Sequence, residues 1–300
     1  MRLLFVSRSL PFHQIGGMEI VSWDIARKLA ERGHEVRFLT TRCVGLPRSC
    51  IRQGVQIDTI DAPAARYSRA YWRETASLFK RDYCEWADLV MGVGMGAYAI
   101  ARTRTSGDRP AVVMQSHGQS WGEFISKLAV PSPISWAKSL KNAYGILADS
   151  ALHHFDEIIA VGPAVEHVLR SAPTTWFRRQ APVTMIANGV DERAFAFDMG
   201  ARRTTRSSLG LGTNDQVLVS VSRLHPQKGL AESLNAFARA RQISPFLNYV
   251  IVGSGPSETA LRRQAARLNV LSNVRFTGAL GRRELAAILS AADVFVFTSK

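Results

Sequence analysis

The sequence predicts an α/β protein built from two doubly wound domains, each a mostly parallel sheet wrapped by helices. Three observations carry this. The chain opens on a strand–helix–strand unit, the same rhythm restarts near residue 183, and 300 residues suffice for two ordinary cores. Nearly half the residues (46%) are hydrophobic and 21% are charged, which is globular rather than disordered composition.

The elements follow in order. "RLLFVS" is a short apolar run of strand type. "MEIVSWDIARKLAERG" places Met18, Val21, Ile25 and Leu29 on one helical face, Gly33 stands at the helix end, and "HEVRFLTT" reads as the next strand. "ADLVMGVG", "AVVMQSHG" and "DEIIAVG" read as further strands. The predicted boundary lies at 175–185 around "PTTWFRRQAP", giving domains 1–180 and 181–300. In the second domain "VTMIANGVD" reads as a strand and loop, and "ARRTTRSSLGLGTNDQ" as a polar connection. Then "VLVSVSRL", "NYVIVGSGP", "NVRFTG" and "DVFVFTS" read as strands, alternating with helices in "LAESLNAFARAR", "SETALRRQAARLN" and "RRELAAILSAA".

The chain carries 38 basic and 24 acidic residues, a net charge of +14. The surplus is even: 23 basic against 16 acidic residues in 1–180, and 15 against 8 in 181–300. There is no basic tail of the kind that holds nucleic acid, so the balance points to a phosphate-bearing ligand or an acidic membrane face. Cys43, Cys50 and Cys84 have no metal-ligand spacing and read as thiols of a reducing cytosol. The apolar run at the start is too short for a signal peptide, and no stretch approaches a membrane span, so a cytoplasmic protein is expected.

Within "VSRLHPQKGL", Arg223 lies at a strand's carboxyl end and Lys228 opens the next helix, where backbone N–H groups also favour anions. A guanidinium fork and a mobile ammonium on one turn suit a diphosphate. For an isolated R-x4-K the alternative is a solvated basic turn. A second glycine turn, Gly253 and Gly255 in "VGSGP", ends the next strand and weighs against that alternative. In the first domain Gly16 and Gly17 precede a helix and permit close approach of a ligand, or simply a flexible loop. Their spacing is not G-x-G-x-x-G; "GVGMGA" at 92–97 mimics that pattern after a later strand and reads as packing. His117, just past "AVVMQS", can hydrogen-bond a sugar or serve only its own loop. His153 and His154 with Asp156 read as structural rather than metal-binding, because adjacent histidines on a helix point apart.

These pieces resemble the retaining, nucleotide-sugar-dependent glycosyltransferases of family 4, which have the GT-B fold. The residues are "GGME" (16–19), "LAERGHEV" (29–36), "SHG" (116–118), "IANGVD" (186–191), "VSRLHPQKGL" (221–230), "IVGSGP" (251–256), "NVRFTGAL" (273–280) and "AADVFVFTS" (291–299). The resemblance implies two Rossmann-like domains facing across a cleft, acceptor side first and nucleotide side second. It implies transfer of a sugar from a nucleoside-diphosphate donor to a hydroxyl acceptor, which could be a glycan, a lipid-linked sugar or a small molecule, with no metal and no cofactor. By it Arg223 and Lys228 grip the diphosphate, the Gly16–Gly17 loop closes over it, and His117 lies near the transferred sugar. Arg275 and Phe276 meet the base through backbone, and Asn188 shapes an interdomain loop. The family's E-x7-E motif is expected directly after "ADVFVFTS", and the sequence stops at Lys300 before it. The second domain is therefore expected to be incomplete, and the chain a fragment. A nucleotide-sugar epimerase, a phosphorylase and a non-catalytic nucleotide-binding module are the rival readings. A weaker expectation concerns 65–83, where Arg66, Arg69, Arg73, Lys80 and Arg81 alternate with Tyr67, Tyr71, Trp72 and Phe79. Such a segment either contacts an anionic membrane or packs on its own domain.

Overall fold

The structure, a computed structural model, describes residues 1–13, 16–43, 45–62, 67–104, 109–118, 150–171 and 181–299. Most of the expected boundary segment 175–185, and Arg66, lie outside the described residues. Backbone contacts divide the chain into two units, Met1–Gly189 and Val190–Lys300.

The first unit holds an eight-stranded sheet. Its strands are β1 (Arg2–Val6), β2 (Glu35–Thr41), β3 (Ser49–Arg52), β4 (Val55–Ile60), β5 (Leu89–Val93), β6 (Ala111–Ser116), β7 (Glu157–Ala160) and β8 (Val183–Met185), in the spatial order β3-β4-β2-β1-β5-β6-β7-β8. All neighbours run parallel except β3, which turns back on β4 through Gln53 and Gly54, both at positive φ. That hairpin was not expected, because its turn lacks the Asn-Gly or Asp-Gly pair that usually announces one. β8 corrects the boundary expected at 181: it pairs with β7, so 183–185 close the first sheet instead of opening the second.

Alternation of side chains divides this sheet's core into two layers. Leu3, Phe5, Val36, Phe38, Val55, Ile57 and Val93 face helix α1 (Gly17–Glu31) with Trp23 and Ala26. Leu4, Val6, Leu39, Val90, Val112, Met114 and Ile158 face the other way. There they meet Tyr71 of α2 (Arg69–Leu78), Ile100 of α3 (Tyr98–Arg102) and Leu169 of α4 (Pro163–Ser171). The strand order reverses between β1 and β5. Gly96 packs into that reversal, since a Cβ there would lie 2.1 Å from the Val6 carbonyl oxygen. A Cβ on Gly92 would lie 2.8 Å from that of Ala97, so "GVGMGA" serves packing.

The second unit holds a four-stranded parallel sheet, β9 (Gln216–Val221), β10 (Leu247–Val252), β11 (Val274–Gly278) and β12 (Val294–Phe295), in the order β11-β10-β9-β12. All six residues of β10 are buried, as in a strand covered on both faces. Around the sheet stand α5 (Met199–Ser208), α6 (Leu230–Ile243), α7 (Glu258–Arg267) and α8 (Arg282–Ala291). α6 seats Leu230, Leu234 and Phe237 in the core, and α7 seats Leu261 and Ala265.

Helix α5 corrects the polar connection expected at 201–216. Asp198 caps it, accepting from the Ala201 N–H at 2.9 Å. Its inward face is arginine rather than apolar. Arg206 donates to the carbonyls of Ala291 and Gly212 and pairs with Asp293, which Arg202 also grips. A helix whose buried face is satisfied by hydrogen bonds leaves no hydrophobic period to read.

Candidate functional site

In open parallel sheets ligands gather beyond the carboxyl ends of strands where the order reverses. In the second unit that place lies between β9 and β12, and the turn leaving β9 carries both expected cations. Arg223 is exposed and, among the described residues, has no acidic partner. His225 Nδ1 accepts from the Gln227 N–H, opening a short 3-10 turn over Pro226–Lys228. Gly229, at φ +63°, turns the chain into α6. Lys228 is half-buried, with its Nζ 5.6 Å from the ring centre of Phe297, just past β12. Thr298 Oγ1 donates toward the carbonyls of Lys228 and Gly229 and lies 2.6 Å from Ser233 Oγ, joining the loop after β12 to the start of α6. The structure thus places Arg223 and Lys228 on one short turn at the reversal of the sheet.

Gly253 and Gly255 have a structural task there. Their φ angles are +130° and +158°, and a Cβ would lie 1.9 Å from the Ser222 carbonyl oxygen or 2.4 Å from that of Leu224. The missing side chains let the β10 turn lie against the β9 turn. The two are stapled by Leu224 N–H to Ser254 carbonyl, 2.9 Å, and Ser257 N–H to Leu224 carbonyl, 3.0 Å. Arg275 donates from Nε to the Leu209 carbonyl and from its terminal nitrogen to Asn248 Oδ1, so its side chain braces the amino end of β10. Phe276 packs on the α6–α7 core under the guanidinium of Arg262, 4.4 Å from its ring centre.

In the first unit Gly16 and Gly17 precede α1. A Cβ on Gly16 would lie 2.3 Å from Glu19 Oε2, whereas one on Gly17 would meet nothing within 4 Å. Gly16 therefore makes room for this protein's own carboxylate. Glu19 is only 5% exposed, and its Oε1 accepts from Ser9 Oγ at 2.8 Å. It was not among the expected site residues, because an acid in a helix's first turn ordinarily reads as an exposed partner of the helix dipole. Its charge reaches His117, which follows β6. Burial pushes the imidazole pKa down, and Glu19 works against that shift. His117 Nε2 is buried with no hydrogen-bond partner among the described residues. Tyr67 donates to the Val93 carbonyl, and its phenol is pushed up to about 12 by burial, with Arg8 opposing and Glu19 adding.

Asn188 lies past β8, exposed, and its N–H reaches the Val161 carbonyl at 3.3 Å. The expected reason for reading His153 and His154 as structural is corrected. His153 and His154 do not point apart: they end a 3-10 turn and their rings lie 4.0 Å centre to centre, while Asp156 is bound to Arg104 and the Val112 N–H. Among the described residues no three His, Cys, Asp or Glu side chains converge as metal ligands do. The aromatic side of 65–83 is no insertion face, because Tyr71 and Phe79 are core residues and Tyr67 and Trp72 pack against them. Arg69, Arg73, Lys80 and Arg81 stay exposed on the outer side. No helix among the described residues is long and apolar enough to cross a membrane.

Two family models match the chain: Glycosyltransferase Family 4 over residues 15–194 and Glycosyl transferases group 1 over 201–300. A GDP-mannose-dependent alpha-(1-6)-phosphatidylinositol monomannoside mannosyltransferase of Mycolicibacterium smegmatis is 35% identical over half of this chain and 39% of its own length. The alpha-monoglucosyldiacylglycerol synthase of Streptococcus pneumoniae is 24% identical over 96% of this chain and 64% of its own length. The chain thus spans about two fifths to two thirds of the length of these relatives. Among solved structures, Anabaena HepE in complex with UDP and glucose superposes on all of this chain and 74% of its own, with TM-score 0.71 and 20% identity. That likeness is one of fold, the GT-B arrangement of two doubly wound sheets.

Proposed function

The chain belongs to glycosyltransferase family 4, and on that premise we propose that it transfers a sugar from a nucleoside-diphosphate donor to a hydroxyl acceptor with retention of configuration. The observation that carries this reading is the turn leaving β9, with exposed Arg223 and half-buried Lys228 beside the amino end of α6. As the glycosidic bond to the donor breaks, negative charge grows on the departing β-phosphate. Arg223 and Lys228 stabilise it, with the first N–H groups of α6 adding to the field. With two side-chain cations on this turn, no metal is needed to balance the diphosphate.

The first unit is the acceptor side in this reading. A lipid-borne hydroxyl is the acceptor class we favour, supported by the names of the two relatives, one acting on a phosphatidylinositol mannoside and one making a glucosyldiacylglycerol. Exposed Arg69, Arg73, Lys80 and Arg81 suit peripheral contact with anionic headgroups from the cytoplasmic side, by charge rather than by insertion.

Titration calorimetry with UDP and GDP, beside an assay of donor turnover, tests the proposal. Binding that disappears in Arg223→Ala, together with turnover by the unaltered chain, is the expected result. Binding without turnover would make the chain a nucleotide-binding module, and no binding of either nucleotide would refute the reading.

A further inference from the structure

In the second unit three buried hydroxyls, Tyr249 of β10, Ser220 of β9 and Ser233 of α6, interrupt a core that is otherwise built from Leu230, Leu234, Phe237 and Ile251. Tyr249 Oη lies 2.7 Å from Ser220 Oγ, and Ser220 Oγ donates to the Val296 carbonyl at 2.6 Å. A serine has one hydroxyl proton, so the phenol is the donor in the first of these contacts. Ser233 Oγ lies 2.6 Å from Thr298 Oγ1, whose own proton is directed at the Lys228 and Gly229 carbonyls, 3.2 and 3.0 Å away. Here the serine donates. The two series converge on Tyr249: burial raises the phenol pKa, and the hydroxyls of Ser220 and then Ser233 oppose that rise. At their other ends they reach Val296 and Thr298, on either side of Phe297, the ring that Lys228 Nζ faces.

We propose that Thr298 and Ser220 are positioning residues for the donor diphosphate: through these hydroxyls they fix the Lys228 turn against the loop after β12, so that the ammonium is set in place before a nucleotide arrives. The inference deepens the proposed function and rests on reading Lys228 as a ligand of the diphosphate. A lysine ammonium is a point charge on a flexible four-carbon stem, and ordering that stem costs affinity unless it is already held. Thr298 holds its root, because the hydroxyl engages the carbonyl of Lys228 itself. Ser220 holds its far end, because the Val296 carbonyl adjoins Phe297, whose ring centre lies 5.6 Å from Nζ. Buried hydroxyl pairs add little net stability over apolar side chains of the same shape. What they add is direction, since each bond fixes one atom of the turn or of the loop that faces it.

The test uses the full chain, with Thr298→Val, which keeps the branched shape and loses the hydroxyl, and Thr298→Ser, which restores it. Calorimetry with UDP and UMP isolates the second phosphate. Thr298→Val loses UDP affinity by about tenfold and UMP affinity by less than about twofold, while Thr298→Ser stays within about threefold of the unaltered chain for both. Ser220→Ala gives the same split between the two nucleotides. In Lys228→Ala, adding Thr298→Val has no further effect on UDP, because Thr298 acts through that lysine. An equal loss for UDP and UMP, or an undiminished effect of Thr298→Val in Lys228→Ala, reduces the hydroxyls to cohesion and overturns the proposal. A second readout needs no nucleotide. Proton–carbon NMR with isotope-labelled lysine follows the Lys228 methylenes, whose ring-current shift is identified by its disappearance in Phe297→Leu. Thr298→Val diminishes that shift and Thr298→Ser keeps it. If the unaltered chain binds no UDP, the proposed function fails and the lysine signal alone decides this inference: a ring-current shift untouched by Thr298→Val overturns it.

Discussion

The Cβ that Gly229 lacks would lie 2.1 Å from the carbonyl oxygen of Thr298. The turn bearing Lys228 and the loop after β12 are therefore in backbone contact, at a glycine whose φ of +63° most side chains resist. Gly229→Ala meets both penalties. Strain alone costs on the order of 1–3 kcal/mol, so the urea midpoint of the second unit falls, and nucleotide affinity falls with it because Lys228 is displaced.

Arg223→Ala separates function from folding. The side chain is exposed and has no acidic partner among the described residues, so thermal stability stays within about 0.5 kcal/mol. Donor turnover drops by about 100- to 1,000-fold, the usual effect of removing one preorganised donor to a developing anion. An equal loss of stability and turnover would count against the assignment.

Asp293 ties the acid stability of the second unit to α5. Burial raises its pKa, but hydrogen bonds from Arg202 and the Val217 N–H, with the charges of Arg202 and Arg206, reverse this and leave it below the ordinary 3.8. A carboxyl with a depressed folded pKa contributes stability above its unfolded value and loses it as pH falls through the folded one. Acid denaturation monitored by circular dichroism therefore shows an Asp293-dependent loss below about pH 4. Asp293→Ala removes that component and destabilises at neutral pH by about 1 kcal/mol, because the carboxylate is partly screened by solvent and Arg206 keeps its carbonyl partners.

His117 titrates below 6.5 because burial opposes its charging. The neutral form is the one the fold accepts, so its contribution is whole above 6.5 and fades as pH drops through the interval between 6.5 and the depressed folded value. Glu19 works in the opposite direction, raising that pKa. An NMR titration of Glu19→Gln accordingly gives a His117 pKa lower than in the unaltered chain, and any catalytic limb belonging to His117 moves to more acid pH.

The paired glycines differ in kind. Gly17→Ala meets empty space and leaves both stability and the His117 pKa unchanged. Gly16→Ala pushes the buried Glu19 carboxylate off its Ser9 donor, so stability falls by about 1–3 kcal/mol. The displaced carboxylate also lowers the His117 pKa, and the two variants side by side in one NMR experiment separate these outcomes.

The sequence was most readable where burial repeats with the period of its element. The apolar runs around Leu3–Val6, Val217–Val221 and Leu247–Val252 are strands as expected, and Leu230, Leu234 and Phe237 mark α6. It was silent where polar groups do the packing. α5 turns Arg202 and Arg206 inward onto Asp293, and Glu19 is a buried acid whose partner Ser9 is ten residues distant. Such sites depend on which carbonyl or hydroxyl comes to meet the charge, and that is fixed only once the strands are in register. Gly253 and Gly255 were visible as a turn, but their close approach to Ser222 and Leu224 belongs to the folded pair. Arg275 was visible as a residue of β11, while Asn248 and the Leu209 carbonyl, which occupy its guanidinium, come from other elements.

The staple between the turns after β9 and β10 bears on how a nucleotide would arrive. With Leu224 and Ser257 amides already engaged, the backbone around Arg223 has little freedom left to surrender, and association is spared most of the ordering entropy that a slack loop would lose. Hydrogen–deuterium exchange at those two amides is expected to be slow without ligand and to change little on adding UDP, leaving side-chain rotation of Arg223 as the principal motion of capture.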